Sequence, residues 1–191
     1  MAITKKIFFL LFFLSFFSKN YSQVYFGLRA EHAVLLNQVE IIEQEITNSA
    51  KFGGSLILNM SLSFGSYNKF LFSIRPGFAL SNYYAGLNAG LLCLINLAGE
   101  NSIITGLHLH TNMVGGGHSI KNKGDIIPYI VLGYRFFTIN DTPLELQLMF
   151  ALNNVPYIQT QVMSGNYPYY PIKYYRQILM IKLGIGFDLK L

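Results

Sequence analysis

The chain reads as an all-β protein, an eight-stranded antiparallel up-and-down transmembrane β-barrel, on three observations. Strand-like segments alternate apolar and polar residues at a length that crosses a bilayer. The gaps between them alternate in size: every long one (33–51, 113–125 and 154–174) is odd-numbered, whereas the even-numbered gaps 65–68, 97–101 and 138–142 hold four or five residues. Tight turns on one side and larger loops on the other are what such a barrel requires. Finally, a secretory leader precedes the pattern.

The leader comes first in the chain. Lys5 and Lys6 stand before an apolar run from Ile7 to Phe17 that only Ser15 interrupts. Eleven helical residues reach ~16 Å, about half of a ~30 Å hydrocarbon core, so the run fits the h-region of a signal peptide. Cleavage is expected at Ser22–Gln23, giving a signal peptide at 1–22 and a barrel domain at 23–191. Losing Lys5, Lys6 and Lys19 leaves 11 Lys and Arg against 9 Asp and Glu. That small excess gives no support for nucleic-acid binding, which needs a concentrated basic face. A single cysteine, Cys93, excludes an intrachain disulfide framework.

The strands follow in order. Segment one (24–32) is marked by polar Arg29 and Glu31. In the second, Leu56, Leu58, Met60, Leu62 and Phe64 share one face, opposite Ser55, Asn59, Ser61 and Ser63. The third turns Phe70, Phe72, Ile74 and Phe78 out and Ser73, Arg75 and Gly77 in. The fourth opposes Leu87, Ala89, Leu91 and Cys93 to Gly86, Asn88 and Gly90, and the fifth opposes Leu107 and Leu109 to His108 and His110. Segment six (126–137) carries Arg135 on its polar face. Segment seven sets Leu144, Leu146, Leu148 and Phe150 against Glu145 and Gln147. The last sets Leu179 to Leu189 against Lys182, Gly184, Gly186 and Asp188. Aromatic residues near strand ends, among them Phe52, Phe64, Phe70, Phe78, Phe136 and Phe187, suit interfacial girdles. With 52% hydrophobic residues and no helix-length apolar stretch after the leader, the chain has to turn its apolar face to lipid or bury a large core.

Leader, eight strands, short even-numbered turns and an aromatic-rich final strand running to the C-terminus together resemble small bacterial outer-membrane β-barrel proteins of the OmpX/OmpA-barrel or PorT-like type. The likeness covers the whole mature chain. It implies a porin-like multi-pass barrel in the outer membrane of a Gram-negative cell, in contact with outer-membrane lipid and lipopolysaccharide. The chain ends in Leu where many such barrels end in Phe.

Several residues invite chemistry. His108 and His110 share one strand face, but a metal site takes three or four ligands, and Glu31 and Asp125 are the only other donors to suggest. His110-Thr111-Asn112 resembles the His-x-Ser pair of lipid A deacylase barrels, with Asn112 where the nucleophile belongs and Ser119 directly after His118. Gly115-Gly116-Gly117 lacks the strand–loop–helix setting of a phosphate loop. The expectation is no catalysis, no metal and no cofactor.

The inward charges Arg29, Glu31, Arg75, Arg135, Glu145, Lys182 and Asp188 carry both signs, and in so narrow a barrel they are expected to form a structural ion-pair network. Arg135 and Glu145 sit symmetrically about residue 140, so a hairpin there sets them face to face. The gaps 33–51 and 154–174 are the expected loops for a surface protein or ligand. The first mixes helical spacing with Glu40, Glu43 and Glu45. The second is expected to be a two-stranded fin tipped by Ser164-Gly165-Asn166, its surface offered by Tyr157, Tyr167, Tyr169, Tyr170 and Tyr174. The function expected is structural or surface interaction. The alternatives are a narrow channel or a transport or secretion accessory, and a lipid A-modifying enzyme.

Overall fold

The computed structural model describes residues 23–42, 46–66, 69–81, 85–97, 101–114, 126–137, 142–153, 158–161 and 172–191. The expected signal peptide lies outside them. The strands are β1 (Gln23–Ile42), β2 (Ile46–Ser66), β3 (Phe70–Ser81), β4 (Ala85–Asn96), β5 (Ser102–Val114), β6 (Ile126–Phe137), β7 (Pro143–Ala151), β8 (Ile158–Gln161) and β9 (Ile172–Lys190). Neighbours pair antiparallel in the order β1-β2-β3-β4-β5-β6-β7-β9, and β9 pairs back onto β1. Eight strands thus close into a barrel, and β8 adds a short ninth strand on the outer edge of β9.

The register fixes the barrel's shape. Following paired residues from Ser102 through Arg135, Glu145, Gly184, Glu31, Ile57, Ala79 and Gly86 returns to β5 at Asn112, ten residues above the start. That stagger on eight strands tilts them by about 40°. The twelve-residue strands β3, β4 and β6 then rise about 30 Å, the thickness of a bilayer's hydrocarbon core. The Leu191 amide donates to the Val24 carbonyl at 2.9 Å, so both ends of the barrel meet on the short-turn side.

Polarity is inverted relative to a water-soluble protein. Leu58, Leu87, Leu132, Phe150, Leu183 and Ile185 are about half exposed on the outside, while Arg29, Arg75, Arg135, Glu31 and Glu145 are buried inside. Such an outer set suits a hydrocarbon surround, and closure pairs the wall strands on both sides. Cys93 is free on the outer face, half-buried. Phe64, Phe70, Phe136 and Phe187 mark the lower rim and Phe52, 73% exposed, the upper one. Phe78 departs from the girdle expectation. It pairs with Leu58 and Leu87, well within the wall, because the stagger offsets strand ends around the barrel.

The largest difference from the sequence reading concerns residues 33–51. The described residues among them are strand and not loop: β1 runs 20 residues to Ile42, and β2 runs 21 from Ile46. Every residue from Ala33 to Ile42 is in register with β2 and with β9, the last strand. The apparent helical spacing does not prevail because flanking β-strands on both sides offer backbone partners to an extended chain. A bulge at Ile178 (Leu36 faces Leu179, Asn37 faces Gln177) adjusts β9 where it leaves the barrel wall.

Candidate functional site, the filled lumen and the overhanging sheet

The seven inward charges meet in the lumen. Arg29 Nη2 donates to both Asp188 carboxylate oxygens at 2.6 Å, and its Nη1 lies 3.3 Å from Glu145 Oε1. Arg75 donates to Glu145 through Nη1 (2.5 Å) and Nη2 (3.1 Å). Arg135 reaches the same carboxylate through Nε at 2.7 Å and Asp188 through Nη1 at 3.3 Å. Glu145 therefore gathers three guanidiniums, and Gln147 adds a hydrogen bond of 2.8 Å. Glu31 accepts from Lys182 Nζ at 2.7 Å and Asn59 Nδ2 at 2.8 Å, with Arg75 at 4.0 Å. Arg135 and Glu145 occupy one register pair, as a turn centred on residue 140 demands.

Local sequence makes room for these groups. A Cβ built on Gly77 would fall 1.9 Å from Asn59 Oδ1, and one on Gly184 would fall 2.9 Å from Glu31 Cγ. Arg29, Glu31 and Arg75 each pair with a glycine on a neighbouring strand (Gly186, Gly184 and Gly90), so these long side chains lie beside bare stretches of wall. Apolar side chains close the remaining space. Tyr25, Leu71, Leu94 and Ile104 fill the lower lumen, and Leu35, Ile127, Met149 and Met180 fill the upper, all buried.

His108 and His110 stand in the upper lumen, 2% and 1% exposed. His108 packs edge-on to Tyr129 at 6.2 Å between ring centroids, and Tyr129 donates to Gln177 Oε1. Among the described residues no three His, Cys, Asp or Glu side chains gather as a metal site. His118, Ser119, the Gly115–Gly117 stretch and Asp125 lie outside the described residues.

Above the eight-stranded wall, β2, β1, β9 and β8 continue as a four-stranded sheet. Ile158 pairs with Tyr175 and Gln161 with Ile172, while Ile42 pairs with both Ile46 and Ile172. β3 reaches β2 only up to the Ser55–Ser81 pair. Consequently the edge of β2 from Ile46 to Gly54 has β1 on one side and, among the described residues, no strand on the other. Lys51 and Phe52 are exposed there. Of the tyrosines singled out from sequence, Tyr174 belongs to β9 opposite Gln159. Tyr157, Tyr167, Tyr169, Tyr170 and the expected tip Ser164-Gly165-Asn166 lie outside the described residues. Sequence reasoning missed the free β2 edge. Its signal was the β-branched and small residues of Ile46-Thr47-Asn48-Ser49-Ala50, a run without proline.

No family model and no curated protein matches this chain. Among solved structures it is similar to the crystal structure of Neisserial surface protein A, with 11% identity over 87% of this chain and 97% of that one, at a TM-score of 0.43.

Proposed function

We propose that this protein is an outer-membrane β-barrel with a structural or surface-interaction role, a lumen closed by its own side chains, and no catalysis. The observation that carries the reading is the four-stranded sheet standing above the wall with the β2 edge Ile46–Gly54 open. An open edge presents a row of backbone donors and acceptors to which an extended segment can add as a further strand. A second copy in the same membrane is a poor occupant. Its β2 also descends into the bilayer, so the two edges would run parallel and cross at about 80°, twice the strand tilt. A segment of another protein, free to run upward, pairs antiparallel without that clash. In this reading the ion-pair network is the barrel's internal brace, and lipid with lipopolysaccharide covers the outer belt.

Inward, buried His110 supports the non-catalytic reading, because a lipid-modifying group has to reach the outer face. The test compares cells carrying the full protein with cells in which residues 37–51 are replaced by a two-residue turn. The truncated barrel should still be inserted, while adhesion or complex formation at the cell surface is lost. Equal behaviour of the two strains would remove the interaction role. Unchanged lipid A masses in cells overproducing the protein are expected, and a deacylated species would replace this reading with the enzyme.

A further inference from the structure

The lumen combines a net positive charge with unused hydrogen-bonding groups in its upper part. Among the described residues, Arg29, Arg75, Arg135 and Lys182 face Glu31, Glu145 and Asp188, four cations against three carboxylates. All seven side chains are at most 6% exposed. Each cation has a carboxylate oxygen within 2.7 Å, but Glu145 is shared by Arg75 and Arg135, so the buried network keeps a net positive charge that a low-dielectric interior disfavours. Arg75 stands at the junction: it binds Glu145 at 2.5 Å but reaches Glu31 only at 4.0 Å.

Beside Arg75 the wall is bare at Gly90, which lies opposite His108: a Cβ placed there would meet Arg75 Cβ at 3.4 Å, Leu92 Cγ at 3.6 Å and His108 Nδ1 at 3.7 Å, ordinary contact that leaves room for a small group. Two residues along the same face of β4 is Asn88, 5% exposed, whose Nδ2 and Oδ1 have no hydrogen-bond partner. His108 Nε2 also has none, and the charges of Lys182 and Arg75 both act on that ring. Buried polar groups are rarely left so. A metal cation is disfavoured by the same two charges. Water satisfies the donors but leaves the excess charge in place. An anion does both.

We infer that the upper lumen binds one small inorganic anion of the halide class, held by Asn88 Nδ2 and by His108 in its Nε2–H tautomer beside Arg75 and Lys182. Asn88 Oδ1 is left to a water. The site goes beyond the surface role proposed above and does not depend on it.

The test uses the folded barrel in detergent, with sodium gluconate exchanged for sodium bromide at constant ionic strength. Binding to the folded state raises the unfolding midpoint in a saturable way, by about 3–8 °C. Asn88→Asp supplies the missing negative charge within the chain. It should match or exceed the bromide-saturated wild type in gluconate and gain nothing from bromide. A wild-type midpoint indifferent to bromide, or an Asn88→Asp barrel with an undiminished bromide response, overturns the proposal. Should Asn88→Asp fail to fold, bromide anomalous scattering from wild-type crystals decides. A peak within hydrogen-bond reach of Asn88 and His108 supports the site, and its absence there refutes it.

Discussion

The same three strands, β1, β2 and β9, pass through two environments, and they obey different rules in each. Within the wall, β2 alternates without exception: Leu56, Leu58, Met60 and Leu62 face outward, and Ser55, Ile57, Asn59, Ser61 and Ser63 face inward, with a paired strand on both edges. Above it, from Ser49 to Gly54, the chain is still in register with β1, yet one edge is open and the outer face changes from leucine to Ala50 and the exposed Phe52. On the proposed membrane placement, hydrocarbon explains the difference. It penalises an unpaired backbone group and a polar outer side chain alike, whereas water tolerates both. Where the solvent changes, closure becomes optional, and an edge can remain available to a partner.

The largest break in this contrast comes from the lumen. Glu145→Ala leaves Arg29, Arg75 and Arg135 around an empty position, and removing one partner from a buried ionic cluster costs about 3–5 kcal/mol. Urea unfolding in detergent should show that loss, together with a lower temperature for the gel-mobility change of the folded band. A variant as stable as wild type would mean that water or ions reach the network freely.

A paired substitution on β2 separates the regions directly. Leu58→Arg places a charge on the lipid face within the wall and should cost about 2–4 kcal/mol, whereas Ala50→Arg, on the same strand face above the membrane, should cost about 0–1 kcal/mol. Folding free energies in lipid vesicles measure both. Equal costs would show that the wall extends to Ala50.

Backbone shape sets the next effect. Gly106 has φ +152°, and a Cβ there would fall 2.2 Å from the Leu91 carbonyl oxygen. Gly106→Ala should therefore destabilise the barrel by about 1–3 kcal/mol, read by the same unfolding assay. A neutral result would mean that β4 and β5 shift apart at that point without loss.

The smallest effect is expected from shortening the overhang. Replacing residues 37–51 by a turn should change barrel stability by less than about 1 kcal/mol, because edge pairing in water contributes little beside wall closure. Planar-bilayer recordings of both proteins should show no steady conductance, since apolar side chains close the lumen above and below its charges. Sustained channel openings in the shortened form alone would assign the overhang to gating.

The barrel was legible because its signals are local. Period-two alternation assigns each residue to a face, and a one-residue slip would move every leucine of the last strand into the lumen. Turn symmetry even places Arg135 against Glu145 without coordinates, since a hairpin's register follows from its centre. Residues 33–51 were not legible for the opposite reason. The extended conformation of residues 33–42 rests in part on pairing with β9, more than a hundred residues away, while the local pattern of isoleucines and glutamates also fits a helix.

By itself, then, the sequence determined strand identity, inner and outer faces, and which charges enter the lumen, because alternation against a two-solvent environment is written residue by residue. Only the tertiary structure decided the stagger of ten residues, the three arginines brought onto Glu145 from β1, β3 and β6, the unpartnered Asn88 and His108, and the open edge of β2. Each of these depends on how far every strand slides along its neighbours around the whole circuit. That sum is set by closure, and no single segment of the chain contains it.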